Sequence, residues 1–177
     1  MQATDNHTDP SGSLHGRLCV WLATGFGLGF VTPAPGTFAG AWGLALAAAI
    51  SLLPSPWVQI AVIVVLALAA VAVCDVAARA MGSSGDPGAI VLDEIVALPI
   101  VFVGAGPMNW TLLLTGYLLF RICDITKPGL ARTAERLPGG WGVVADDCVA
   151  ALLAAMLLQV ALWIDRAAGY EWLAVAV

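Results

Sequence analysis

Charge is what this chain has least of. Only 11% of its 177 residues are Asp, Glu, Lys or Arg, and 60% are hydrophobic. Soluble domains carry about 25% charged residues, so the composition excludes an ordinary soluble globule and points to a membrane protein. The length suits one helical unit. Basic residues are outnumbered, seven against 12, for a formal net charge of −5, which argues against a nucleic-acid partner. Histidine occurs only at His7 and His15, within the polar head "MQATDNHTDPSGSLHG". A zinc centre or a His-based triad therefore has almost nothing to build on. Residues 1–17 read as a disordered tail and lack the basic-then-apolar order of a secretory signal. Cys19, Cys74, Cys123 and Cys148 form no Cys-x-x-Cys pair and read as small buried hydrophobes. None has an arginine six positions on, which excludes a Cys-x₅-Arg phosphatase.

What is present is a series of apolar runs. Residues 18–30, "LCVWLATGFGLGF", are too short and too glycine-rich to cross about 30 Å of hydrocarbon as one helix. "VTPAPGT" follows as a turn, and Thr37 is placed to cap a helix running to about residue 53. "PSP" at 54–56 breaks that helix. "WVQIAVIVVLALAAVAVC" is the best spanning candidate and continues as a helix to about residue 81. Residues 92–120 are apolar but interrupted by "GAGP" at 104–107. They read either as one long helix or, preferably, as a hairpin with arms of about 11–14 residues, roughly 16–21 Å each. Residues 121–147 are polar and turn-rich, and a last span begins at Cys148. The expected fold is all-α: a compact multi-helix membrane bundle of short or broken helices, one domain over 18–177, with a polar site on one side.

Charge favours the hairpin. It places Arg17, Arg79, Arg121, Lys127, Arg132 and Arg136, six of the seven basic residues, on one side, which the positive-inside tendency makes cytoplasmic. Asp86, Asp93, Glu94, Asp124, Asp146 and Asp147 fall there too. Asp75 and Arg79 read as an i,i+4 ion pair at a helix end.

Two acidic pairs, Asp93–Glu94 and Asp146–Asp147, each precede an apolar run. A carboxylate at a helix start gains roughly 0.3–1 kcal/mol from the dipole. Placing a charge at the centre of the hydrocarbon costs about 2.5–3.5 kcal/mol on insertion scales. Capping alone is thus a poor reason for two pairs plus Asp124. Oxygen ligands without histidine suit Mg²⁺, which keeps waters and favours phosphate oxygens. In "FRICDITKP", Arg121, Asp124 and Lys127 are three apart and share a helical face. Arginine grips phosphate in bidentate fashion and lysine neutralises it as a point charge. "GFGLGFVTPAPGTFAG" adds glycines that allow close backbone approach and a helix start that can receive an anion.

The ordered set "GFGLGFVTPAPGTFAG", "DPGAIVLDE", "FRICDITKP" and "GGWGVVADDCVA" resembles the phosphatidylglycerophosphatase A family over residues 25–160 or so. The resemblance implies a Mg²⁺-dependent lipid phosphatase. Its substrate is phosphatidylglycerophosphate, converted to phosphatidylglycerol at the bacterial inner membrane. Carried over to this sequence, it implicates Gly36, Thr37, Asp86, Arg121 and Lys127 in substrate binding. It implicates Asp93, Glu94, Asp124, Asp146 and Asp147 in catalysis, with Asp93, Glu94, Asp146 and Asp147 as metal ligands. This chain departs from the family at Gly129-Leu130, where Trp-Pro is common, and at Ala97 and Ala151, where glycine is usual. Those departures bear on loop shape and substrate fit. The rival expectation is a small membrane transporter or ion-binding protein with a carboxylate site. It calls for acids near the middle of spans.

Overall fold

A computed structural model describes residues 13–31, 33–83, 87–170 and 172–173. The expectations for Asp86, His7 and most of the polar head lie outside these residues. Among the described residues the chain is helical throughout, with no strand.

Helix α1 spans Leu14–Ala23, capped by the Ser13 hydroxyl, which accepts from the Gly16 N–H at 3.0 Å. It starts four residues before the apolar run. A turn at 24–27 separates it from the single-turn α2, Leu28–Val31, so residues 18–30 are indeed broken. Helix α3, Pro35–Ser51, has no side-chain cap. The expected Thr37 cap is replaced by Pro35 at the first helical position, where a missing N–H costs nothing. Thr37 therefore lies inside the first turn. Helix α4, Pro56–Ala80, is 25 residues long, or roughly 37 Å. Ser55 caps it and Pro56 opens it.

The interrupted apolar run is a hairpin. Helix α5, Leu92–Ala97, passes into a 3₁₀ turn, Leu98–Phe102, and the chain reverses before α6, Trp110–Thr126. Asn109 starts the return arm by accepting from the Leu112 N–H at 2.7 Å. The Phe102 ring fills the space that a side chain at Gly116 would need, so the arms lie close together. The return arm runs six residues beyond the apolar stretch. After a left-handed Lys127 and Pro128 comes the short α7, Leu130–Ala134, and then α8, Gly140–Ala168.

Helix α8 begins eight residues earlier than the apolar pattern indicates. Asp146 and Asp147 accordingly sit in its second turn, not at its threshold. The reason lies on another helix. Asp75 of α4 accepts from the Gly140 N–H at 3.2 Å while its other oxygen pairs with Arg79 at 2.6 Å. The expected i,i+4 pair is present, and the same carboxylate caps α8 from outside. Asp75→Ala should cost about 1 kcal/mol, the usual worth of a cap. The check is a lower Tm in detergent, largely restored by Asp75→Asn.

Helix α8 is the central rod, touching α4, α5, the 3₁₀ turn, α6 and α7. One core, built from Leu98, Phe102, Leu112, Phe120, Ala151 and Leu158, joins it to the hairpin and α3. A second, with Cys19, Ala70, Cys74, Val96 and Val144, joins it to α1 and α4. The small residues let backbones approach where apolar burial drives nothing in lipid. Ala97 and Ala151 are both completely buried in helices of the first core. These two departures thus affect helix packing, not loop shape. None of the four cysteines is in a disulfide, and three are buried.

Two helices, α4 and α8, are long and apolar enough to cross a membrane, and only 22% and 33% of their most apolar stretches are buried. A soluble core helix would be mostly covered. All seven tryptophans are exposed. Trp57, Trp110, Trp163 and Trp172 flank the reversal end of the bundle, and Trp21, Trp42 and Trp141 lie toward the other. Tryptophan is enriched in this way where membrane proteins meet the membrane–water interface.

Candidate active site

The two ends of the bundle differ in kind. At the reversal end, the 104–108 turn faces the α3–α4 junction across a cavity of about 630 Å³. There the buried Asp165 accepts backbone N–H bonds from Trp172 and Leu173. Almost every other described charge is at the opposite end. The N-termini of α3, α5 and α8 meet there with the C-termini of α4 and α6. Arg17 reaches that end too, lining a cleft with Ala80 and Met81.

Three helices and the residue that follows α7 contribute to a paired-charge network. Arg121, near the end of α6, donates to Glu94 of α5 at 2.7 Å and to Asp124, one turn on, at 2.9 Å. Lys127 donates to Asp146 of α8 at 2.7 Å and to Glu135, just after α7, at 2.8 Å. Burial works to discharge the Lys127 ammonium. The two carboxylates more than offset that and hold its pKa above the ordinary lysine value, so it stays charged at any working pH.

Asp93, Asp146 and Asp147 are each 4% exposed. Asp93 accepts from the Glu94 N–H at 3.0 Å. The Asp147 carboxyl lies within the electrostatic reach of Asp93, Asp124, Asp146 and Glu94. Two buried oxygens, Asp146 Oδ1 and Asp147 Oδ2, have no hydrogen-bond partner among the described residues. An unmade bond on a buried charged group is expensive, about 1–3 kcal/mol or more. Here it recurs on adjacent residues.

Gly36 belongs to the same end. A Cβ there would collide with the Glu94 carboxylate, so Glu94 lies against the positive end of α3. Thr37 takes part through its backbone: its carbonyl accepts from the Tyr117 hydroxyl at 3.1 Å.

The residues expected to form the site thus converge, Asp86 excepted, since it lies outside the described residues. Three contributors escaped the sequence reading. Tyr117 stands four residues before Arg121 on the same helical face, a spacing that offered a signal. Glu135 reaches Lys127 across a Pro-Gly turn, for which no periodicity exists. Asp75 was legible as a partner of Arg79 but not as the cap of α8.

The donor set fits a hard divalent cation, with one qualification. Among the described residues no three His, Cys, Asp or Glu side chains already surround a common point. Mg²⁺ does not need that: it is usually held by one or two carboxylates together with waters and phosphate oxygens. The unpartnered oxygens of Asp146 and Asp147 supply two such donors.

Comparison with known proteins follows the same lines. The family model described as Phosphatidylglycerophosphatase A matches residues 21–162. A Haemophilus influenzae protein named phosphatidylglycerophosphatase A is 33% identical over 138 residues, covering 77% of this chain and 84% of its own. An Escherichia coli protein of the same name is 32% identical over 138 residues, 77% of this chain and 79% of its own. A Bacteroides thetaiotaomicron protein, provisionally named a phosphatidylinositol-3-phosphatase, is 34% identical over 155 residues, 83% of this chain and 95% of its own. No solved structure matches significantly.

Proposed function

Because the chain belongs to the phosphatidylglycerophosphatase A family, we propose that it hydrolyses the phosphomonoester of phosphatidylglycerophosphate, releasing phosphatidylglycerol and inorganic phosphate. Water's oxygen forms a new bond to phosphorus, the bond from phosphorus to the glycerol oxygen breaks, and a proton ends on that oxygen.

One observation carries the reading. Two cations, each held between carboxylates of different elements, stand at one end of the bundle beside two buried carboxylate oxygens that have no hydrogen-bond partner among the described residues. Lys127 and Arg121 attract the phosphate. Arg121 keeps its orientation because Glu94 and Asp124 hold the same guanidinium nitrogen. Asp146 and Asp147, with Asp93 and Glu94 beside them, would hold Mg²⁺. The ion supplies Lewis-acid polarisation of the phosphoryl group and a lower pKa for bound water. Tyr117 fixes α6 against α3, and so Arg121 against Gly36.

The rival transport reading has little support. From 35 to 74 along α3 and α4, from 110 to 120 in α6 and from 148 to 164 in α8, the chain has no charged residue. A carboxylate pathway across the bilayer would require some. The bundle's polar end faces the cytoplasm in this proposal, because Arg17, Arg79, Arg121, Lys127, Arg132 and Arg136 gather there. Lipid tails remain between the exposed apolar faces of α4, α6 and α8 while the headgroup enters the charged end.

The test is phosphate release by purified protein from phosphatidylglycerophosphate in mixed micelles. Activity should vanish with EDTA and return with Mg²⁺. Phosphatidylinositol 3-phosphate, offered in parallel, should be hydrolysed more slowly. Release that ignores EDTA would remove the metal from the proposal, and no release from either lipid would remove the reaction.

A further inference from the structure

Lys127 is the one residue of the network with one buried and one exposed partner. Asp146 has a side chain 6% exposed, whereas Glu135 is 45% exposed. Arg121 differs, since both its partners are largely buried. Among the described residues the Glu135 carboxylate bonds to Lys127 alone. Glu135 closes α7, a five-residue helix with only Ala131 buried. Its own N–H donates to the Ala131 carbonyl at 3.0 Å, and the segment packs against α8, so the backbone is fixed and the exposed side chain is the part that can move. Lys127 itself has φ 42°, the left-handed region. That backbone is uncommon for a residue with a side chain and persists only where its surroundings hold it.

Resting on the reading of Lys127 as a phosphate ligand, we propose that the Glu135 carboxylate is a built-in occupant of the phosphate seat. The substrate's phosphate displaces it from Lys127, and Glu135 thereby sets the affinity for phosphomonoesters. The exchange is between anions on one ammonium group. A phosphate monoester carries up to two negative charges and three strong acceptor oxygens, so it outcompetes one carboxylate. Displaced, Glu135 enters water, where a charge costs nothing further. Asp146 cannot make the same move, because its side chain is buried on α8 and has no path into water. The site in its resting state therefore has a compensated lysine, and singly charged anions gain too little to dislodge Glu135.

The sign of one substitution decides this. In the full-length protein in detergent micelles, inorganic phosphate serves as a competitive inhibitor of lipid hydrolysis. Glu135→Gln should tighten phosphate inhibition about two- to fivefold, the range expected for a solvent-exposed ion pair. KM should fall by a similar factor. Glu135→Ala should shift in the same direction, giving a second route should either variant fold poorly. If Glu135 only tethers α7, both variants will bind phosphate equally or more weakly, which overturns the proposal. Lys127→Met separates the two layers of the argument. It should weaken phosphate inhibition and erase the effect of Glu135→Gln in the double variant. If Lys127→Met is inhibited like the parent, the assignment of Lys127 as phosphate ligand has failed and the proposal goes with it. If Lys127→Met loses inhibition but Glu135→Gln gains none, only the role of Glu135 is lost.

Discussion

Asp147→Asn is expected to lose about 10²–10³-fold in kcat for phosphate release while melting no lower than the parent. The size follows from removing a charged group that acts on developing charge in a water-poor site, where single electrostatic contributors are worth about 10²–10³-fold. The absence of a stability cost follows from the structure. Asp147 Oδ2 is buried with no partner, and four other carboxyl groups bear on it. An amide of the same shape removes the repulsion at little steric cost. Under the proposed role, Asp147 trades folding stability for chemistry. Assay and thermal unfolding belong on one preparation. Activity within tenfold of the parent would end the role assigned to Asp147. A marked drop in Tm would show that the carboxylate has a partner in the fold after all.

Gly36→Ala tests the other side of the site, and ordinary helix energetics predict the opposite result. Alanine in place of glycine within a helix gains up to about 1 kcal/mol. Here the new methyl would occupy the position of the Glu94 carboxylate. Glu94 would have to withdraw, taking its 2.7 Å bond to Arg121 with it. Displacement of a positioning group by about 1 Å can cost 10²-fold. The expected outcome is a loss of about 10²-fold in kcat/KM with a Tm near the parent's. Full activity in this variant would mean that Glu94 is free to move, and would remove it from the set that orients Arg121.

Much of this was legible before any coordinates. The reversal at "GAGP" shows because proline and glycine punctuate an apolar run. The gathering of basic residues on one side follows from that reversal, and the Arg121–Asp124 contact follows from helical spacing. What was hidden depends on partners far along the chain. The start of α8 is invisible because "GGWG" has no capping residue of its own; Asp75, 65 positions earlier, provides it. The Thr37 cap fails because Pro35 already opens the helix two residues before. Ala97 and Ala151 pass for loop features until burial places them in the core. Glu135 is out of reach of any periodic argument, since a left-handed lysine and a proline stand between it and its partner.

The order of the parts has a consequence for synthesis. The cations and the first acids are laid down before residue 128, but Asp146 and Asp147 arrive with the final helix. A nascent chain that has inserted α1 to α6 holds Arg121 and Lys127 with half of their counter-charges, and no pair of orphaned oxygens to receive a cation. If Asp146 and Asp147 hold the proposed ion, activity waits on α8 packing against α4 and the hairpin, with its first turn on Asp75. On that proposal, a chain truncated before residue 146 is expected to release no phosphate from the lipid.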